Sequence, residues 1–295
     1  MNSPSRALAI GTIALAAVLA CPASWAQGTD SPNNPPGDSS ADQTGVPAPD
    51  STADSTADSG RHATLEHLLD DVESYYTAPL RWDGEQWALF GGAIGAVALA
   101  HHYDSDVRTH FVGAGATGST SNSSLEDALP AAALWAGTYI YSTEWHDRSG
   151  LTVTWAMLEG AGLSTVTAYA FQYAIRRSGP DETTDPNQWF SSGSSFPSEH
   201  TTAAFAIGTV FAESGSGGYR WLTRVLGYGV ASFTAYERLK HNAHWLSDVV
   251  AGAALGGSTG VFVLDRTYGG RSASSALSVV PTDGGLMLAY HQSLP

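Results

Sequence analysis

The sequence predicts an all-α fold: a bundle of about six to seven helices, closed by a short C-terminal β-hairpin. Three observations lead there. From about residue 62 onward, apolar residues recur at helical spacing in one segment after another. Clusters of Gly, Ser, Asp or Pro separate most of those segments. Gly252, Gly256 and Gly260 repeat every fourth residue, which leaves one helix face without side chains, so another helix can approach it closely.

The elements follow in order. Residues 1–26 read as an export signal, with Arg6 as the positive start, an apolar stretch over 7–20 and a small-x-small cleavage site at Ser24-Trp25-Ala26. The run Val18-Leu19-Ala20-Cys21 offers a second export reading, a lipoprotein box with Cys21 as lipid acceptor, but cleavage after Ala26 is favoured. Both readings put the mature chain in the periplasm or cell envelope, membrane-anchored if Cys21 carries lipid. Residues 27–61 are an acidic Ser/Pro/Asp-rich linker with a tandem Ser-Thr-Ala-Asp at 51–54 and 55–58, expected to be disordered because it cannot bury enough apolar surface to offset its ordering entropy. The helical domain spans 62–267. It opens on Leu65, Leu68, Leu69 and Val72 and continues through 86–100, 128–142, 151–175, 201–212, 221–236 and 249–264. Charge-free runs in these segments stay at or below about 18 residues, short for membrane spans. Their low charge leaves a membrane-embedded bundle as the alternative. In the tail, 268–295, two apolar runs flank Asp283-Gly284-Gly285, which suggests the hairpin.

Composition excludes several functions. Of 295 residues, 43% are hydrophobic, so a sizeable core is within reach. A net charge of −15, from 13 basic and 28 acidic residues, argues against nucleic acid, whose phosphates need a basic face. Cys21 is the single cysteine, so neither an intramolecular disulfide nor a multi-thiolate zinc site can form.

Three stretches concentrate polar chemistry against helix ends. Arg176-Arg177-Ser178-Gly179-Pro180 closes the helix that ends near Ile175; alone, it reads as a cationic C-terminal cap. Ser195-Phe196-Pro197-Ser198-Glu199-His200-Thr201-Thr202 precedes an apolar helix, with Ser198 at the N-cap, where free N–H groups and the helix dipole suit a phosphate. Arg238 to Asp248 places His244 and Asp248 four apart on one face. A carboxylate on one ring nitrogen fixes the tautomer and leaves the other as nucleophile or base, while Arg238 can clamp an anion. A metal site from His241, His244 and Asp248 is the rival reading. Glu159, mid-helix in an apolar run, should be paired, with Arg176 or Arg177 as candidates.

Taken together and in order, Pro197-Ser198-x-His200 and Arg238-x5-His244-x3-Asp248 resemble the second and third motifs of the type 2 phosphatidic acid phosphatase (PAP2) superfamily, which includes bacterial acid phosphatases, lipid phosphate phosphatases and vanadium haloperoxidases. The resemblance covers about residues 65–265. It implies a PAP2-type helical bundle and a phosphatase that needs no metal or other cofactor, acting on a phosphorylated lipid or a small phosphomonoester; the weakly apolar helices and the tether suit membrane-surface contact. By the same resemblance His244 is the nucleophile that forms a phosphohistidine, Asp248 orients it and His200 protonates the leaving group. Ser198 and Arg238 hold phosphate oxygens, and Arg177 falls where many members carry an additional arginine. The first motif departs: Gln172 stands at the lysine and Gly179 at the arginine. Glu199 replaces the glycine beside His200, and Glu237 replaces a serine. These departures carry an alternative, a catalytically degenerate binding protein on the same fold. A vanadate-dependent haloperoxidase ranks below both, because two cationic ligands are missing.

Overall fold

The computed structural model describes residues 65–113, 123–269, 275–282 and 285–292. The expected export signal and linker lie outside them. Among the described residues there are eight α-helices: α1 Leu65–Thr77, α2 Gly84–His102, α3 Asp104–Gly113, α4 Ser123–Glu144, α5 Arg148–Ile175, α6 Glu199–Ser214, α7 Arg220–Lys240 and α8 Leu246–Tyr268. The all-α expectation holds, with one helix more than the sequence suggested. That helix, α3, has no apolar stripe; its sequence is DSDVRTHFVG, with Asp104 and Asp106 in the first turn, where acids favour the dipole. Beyond α8, backbone over Ser275–Thr282 and Gly285–Gln292 runs as two antiparallel strands. The turn residues Asp283 and Gly284 and the side chains of this segment lie outside the described residues, so the hairpin stays an expectation of the sequence.

Local signals explain several helix ends. Asp83 caps α2, its carboxylate accepting from Glu85 N and Gln86 N, while Gln86 Oε1 accepts in return from Asp83 N. Asp147 caps α5 and Ser198 caps α6. α5 ends on Arg176, and α8 on Gly269, both in the left-handed region.

α6 is the central helix; α4, α5, α7 and α8 all pack against it. The main core gathers Met157, Leu163, Phe205, Val210, Ala231, Val263 and Leu264. Close backbone approach is built from glycine. A Cβ added at Gly256 would lie 2.0 Å from Thr202 O, and one at Gly208 would lie 2.5 Å from Gly227 O. The every-fourth-residue glycines therefore seat α8 on α6, as their spacing suggested. Among the described helices, only α8 is long and apolar enough to cross a membrane, and 67% of that window is buried inside the bundle. Outward faces of α2, α5 and α7 carry large exposed apolar residues, including Trp87, Trp155, Phe171, Tyr173 and Trp221.

Glu159 is paired differently from expectation. It lies beside Asp71 and Arg266, on α1 and α8, rather than Arg176 or Arg177. Burial, with the Asp71 carboxylate next to it, pushes Glu159 up to about 7. One carboxyl oxygen of such a pair can hold the shared proton.

Candidate active site

The three polar stretches meet at one end of the bundle. The C-terminal ends of α5 and α7 deliver Gln172 and Arg238; the N-terminal ends of α6 and α8 deliver Glu199, His200 and Asp248. The loop before α8 carries His244, and the loop between α5 and α6 carries Arg177 and Ser195.

His244 is buried, at 6% exposure. Its Nδ1 donates to Ser195 O at 2.8 Å, which leaves Nε2 as the lone-pair nitrogen. Arg238 Nη2 donates to Nε2 at 3.0 Å. Burial, with the Arg238 guanidinium adding to it, pulls His244 down to about 4, so the ring is neutral at physiological pH. Arg238 is itself held: Nη1 donates to Asp127 Oδ2 at 2.6 Å, and both side chains are almost fully buried.

Asp248 does not touch the imidazole as its spacing implied. Its Oδ2 is 3.9 Å from His244 Nδ1. The proton-bearing nitrogen is satisfied by a backbone carbonyl instead, and Ser195 bridges the gap. Ser195 Oγ donates to Asp248 Oδ2 and lies 3.4 Å from Nδ1. Trp245 N donates to the same carboxylate oxygen. Burial pushes Asp248 up to about 7 against the opposing pull of Arg177, Ser195 and Trp245. Every one of those contacts is a donor, so above that pH the carboxylate accepts from all of them.

Arg177 is corrected more sharply. The resemblance makes it a phosphate ligand, yet its side chain is fully buried and all its N–H groups are spoken for. Nε and Nη2 donate to Pro186 O, Nη1 to Ser247 Oγ and Asp248 Oδ1, and Nη2 to Asp104 Oδ2. Trp189 covers the guanidinium face at 4.2 Å. Arg177 thus clamps α3 to α8, with Asp104 also accepting from Ser247 N and Ser247 Oγ. Ser198 is fully buried too; its hydroxyl bonds Thr201 Oγ1, and its N–H donates to Asp248 O.

Glu199 lies among the groups expected to hold phosphate. His200 Nδ1 donates to Oε1 at 2.7 Å and Gln172 Nε2 to Oε2 at 2.8 Å. Oε2 is 3.6 Å from His244 Nε2, and Oε1 is 4.0 Å from Arg238 Nη2. Burial alone would raise this carboxyl; the His200 hydrogen bond leads the opposing pull and holds Glu199 well below the usual carboxylate range. Gln172 thus occupies the lysine position as a neutral tether, also donating to Pro197 O.

The rival metal triad does not assemble. His241 lies against Asp127 at 3.0 Å and Glu237 at 3.4 Å instead. Among the described residues the group with metal-ligand spacing is Asp127, Glu237 and His241.

Sequence reasoning missed Asp104, Asp127 and Ser195. Ser195 sat inside the quoted motif string without a role. The two aspartates carried only a weak signal, an acid near the start of a helix.

A stretch of 102 residues, 34% of this chain, is 38% identical to the lipid A 1-phosphatase of Porphyromonas gingivalis (strain ATCC 33277). The match spans about a fifth of that relative's length, 21%. No solved structure matches the chain significantly. Residues 150–269 match the model of the PAP2 superfamily. The likeness to that superfamily is thereby shown over the stretch that carries Arg177, Ser198, His200, Arg238, His244 and Asp248.

Proposed function

We propose that the chain is a phosphatase that hydrolyses a phosphomonoester, a lipid phosphate or a small soluble ester, through a phosphohistidine and without a metal. The observation that carries this reading is the state of His244: a buried neutral imidazole, Nδ1–H on a carbonyl, Nε2 beside Arg238. Nε2 attacks phosphorus as the bond to the leaving alkoxide breaks, and His200 gives the alkoxide its proton. Water then attacks the phosphohistidine, His200 taking its proton, and phosphate leaves with Nε2 restored. Arg238 and the converging N-termini of α6 and α8 stabilise charge on the phosphoryl oxygens. The relative's name, lipid A 1-phosphatase, favours a phosphorylated lipid as substrate. The exposed aromatic residues on α5 favour contact with a membrane surface, and the export signal an envelope location.

The test is phosphate release by the full chain in excess EDTA, from detergent-solubilised phosphatidic acid and from p-nitrophenyl phosphate, with His244→Ala beside the wild type. Chelator-resistant release that the variant loses is expected. The second reading, a degenerate binding protein on this fold, draws on the Glu199 carboxylate beside Nε2. Absence of turnover on both substrates, from folded protein, would favour it.

A further inference from the structure

The phosphatase reading meets an electrostatic difficulty at the nucleophile, and the following inference rests on that reading. A phosphoryl group within reach of His244 Nε2 meets both Arg238, 3.0 Å from Nε2, and Glu199, 3.6 Å from it, whose charged groups are 4.0 Å apart. The cationic side is weak. Arg238 is already paired with Asp127, and Arg177 is consumed by Asp104 and Asp248. Around the site, two arginines therefore face four carboxyl groups: Asp104, Asp127, Asp248 and Glu199. Where the superfamily pattern has a lysine, Gln172 supplies a neutral amide. A phosphate dianion would bring lone pairs and a second negative charge against Glu199. A monoanion presents a P–OH instead.

We propose that Glu199 is a substrate-binding residue that selects the monoanionic form of the phosphate group by accepting a hydrogen bond from its hydroxyl.

The groups facing Glu199 are consistent with that role. From its own helix comes His200, from α5 Gln172, from α7 Arg238, and from the loop before α8 His244. Behind Arg238 stand Asp127, His241 and Glu237. His200 and Gln172 each donate to one Glu199 oxygen, so the carboxylate form is fixed in place and each oxygen keeps a lone pair for the ligand. The proton in the pair accordingly resides on the phosphate. Both departures from the superfamily pattern, Gln172 for lysine and Glu199 for glycine, then act together. One removes the charge that would hold a dianion, and the other supplies the acceptor that a monoanion requires.

The experiment is calorimetric titration of the full chain with inorganic phosphate at pH 6, 7 and 8, comparing wild type with Glu199→Gln. Glu199 is hydrogen-bonded to His200, so both proteins are also titrated in a His200→Asn background, where the difference between them reports Glu199 alone. Wild-type affinity should fall about tenfold per pH unit above the second phosphate ionisation. Glu199→Gln should lose most of that slope and bind at least about tenfold more tightly at pH 8, since the charge that repels a dianion is gone. Glu199→Gly, also uncharged, should behave alike if the glutamine variant folds poorly. Equal slopes, or no tighter binding by either variant at pH 8, would overturn the inference while leaving the phosphatase reading standing. Failure of the wild type to bind phosphate at any of these pH values would overturn the inference, whereas absence of turnover in EDTA would overturn the phosphatase reading beneath it.

Discussion

Replacing Arg177 with methionine tests whether this arginine is a structural clamp. The variant keeps the volume of the stem and removes the guanidinium. Asp104 and Asp248, both fully buried, lose their shared partner. Breaking a buried ion pair from one side costs roughly 3–5 kcal/mol, because the remaining charge is left uncompensated. For a domain of this size each kcal/mol moves Tm by about 2–4 °C, so a drop on the order of 10 °C is expected. The loss should depend on pH. Burial already raises Asp248 to about 7, above its unfolded value, and Arg177 is the main force opposing that rise. A carboxyl raised in the folded state contributes stability that is lost as pH rises through its folded pKa. Without Arg177 the rise is larger, so Arg177→Met should be penalised more at pH 8 than at pH 6. Urea unfolding followed by circular dichroism at the two pH values measures both effects. A change below about 1 kcal/mol at both, with phosphate binding lost instead, would refute the clamp and restore Arg177 as a phosphate ligand.

Further outcomes follow from the same geometry. Ser195→Ala removes a hydroxyl from Asp248 but leaves the carbonyl that holds His244, so kcat should fall only about tenfold, the worth of one buried hydrogen bond; a loss as large as that of His244→Ala would contradict this. The His244 ring should titrate near 4 by NMR, and Arg238→Gln should move the midpoint upward, because the guanidinium is the second cause of its depression. A wild-type midpoint near the ordinary value would mean the ring is solvated. Gly256→Ala should destabilise by about 1–3 kcal/mol, since its Cβ meets Thr202 O, whereas Gly91→Ala, with open space around it, should be neutral or stabilising. Thermal unfolding of the two variants compares them directly.

What the sequence made legible was local. The glycines at 252, 256 and 260 announce a bare helix face at their own spacing, and the structure closes α6 onto it. Ser198 reads as an N-cap from its position before an apolar run, and it is one. His200, Arg238 and His244 could be picked out because their motif order survives without the fold. Other features depend on which chain segments meet. Arg177 looks like a spare cation until α3 and α8 place two aspartates against it. Asp248 sits four residues from His244, yet the loop between α5 and α6 inserts Ser195 between them. Asp104 and Asp127 reach their partners across 73 and 111 residues of sequence, a distance over which no periodicity speaks. Helix α3 went unseen because it has no apolar stripe for a period to reveal.

The nucleophile is the central claim, and trapping it is the most direct measurement. The full chain would be mixed with excess phosphorylated substrate in EDTA, quenched in base, where a phosphohistidine survives, and mapped by peptide mass spectrometry. The expected result is one phosphoryl group on the peptide containing His244, absent from His244→Ala. Steady turnover with the phosphoryl group on another residue, or undiminished turnover by His244→Ala, would contradict it.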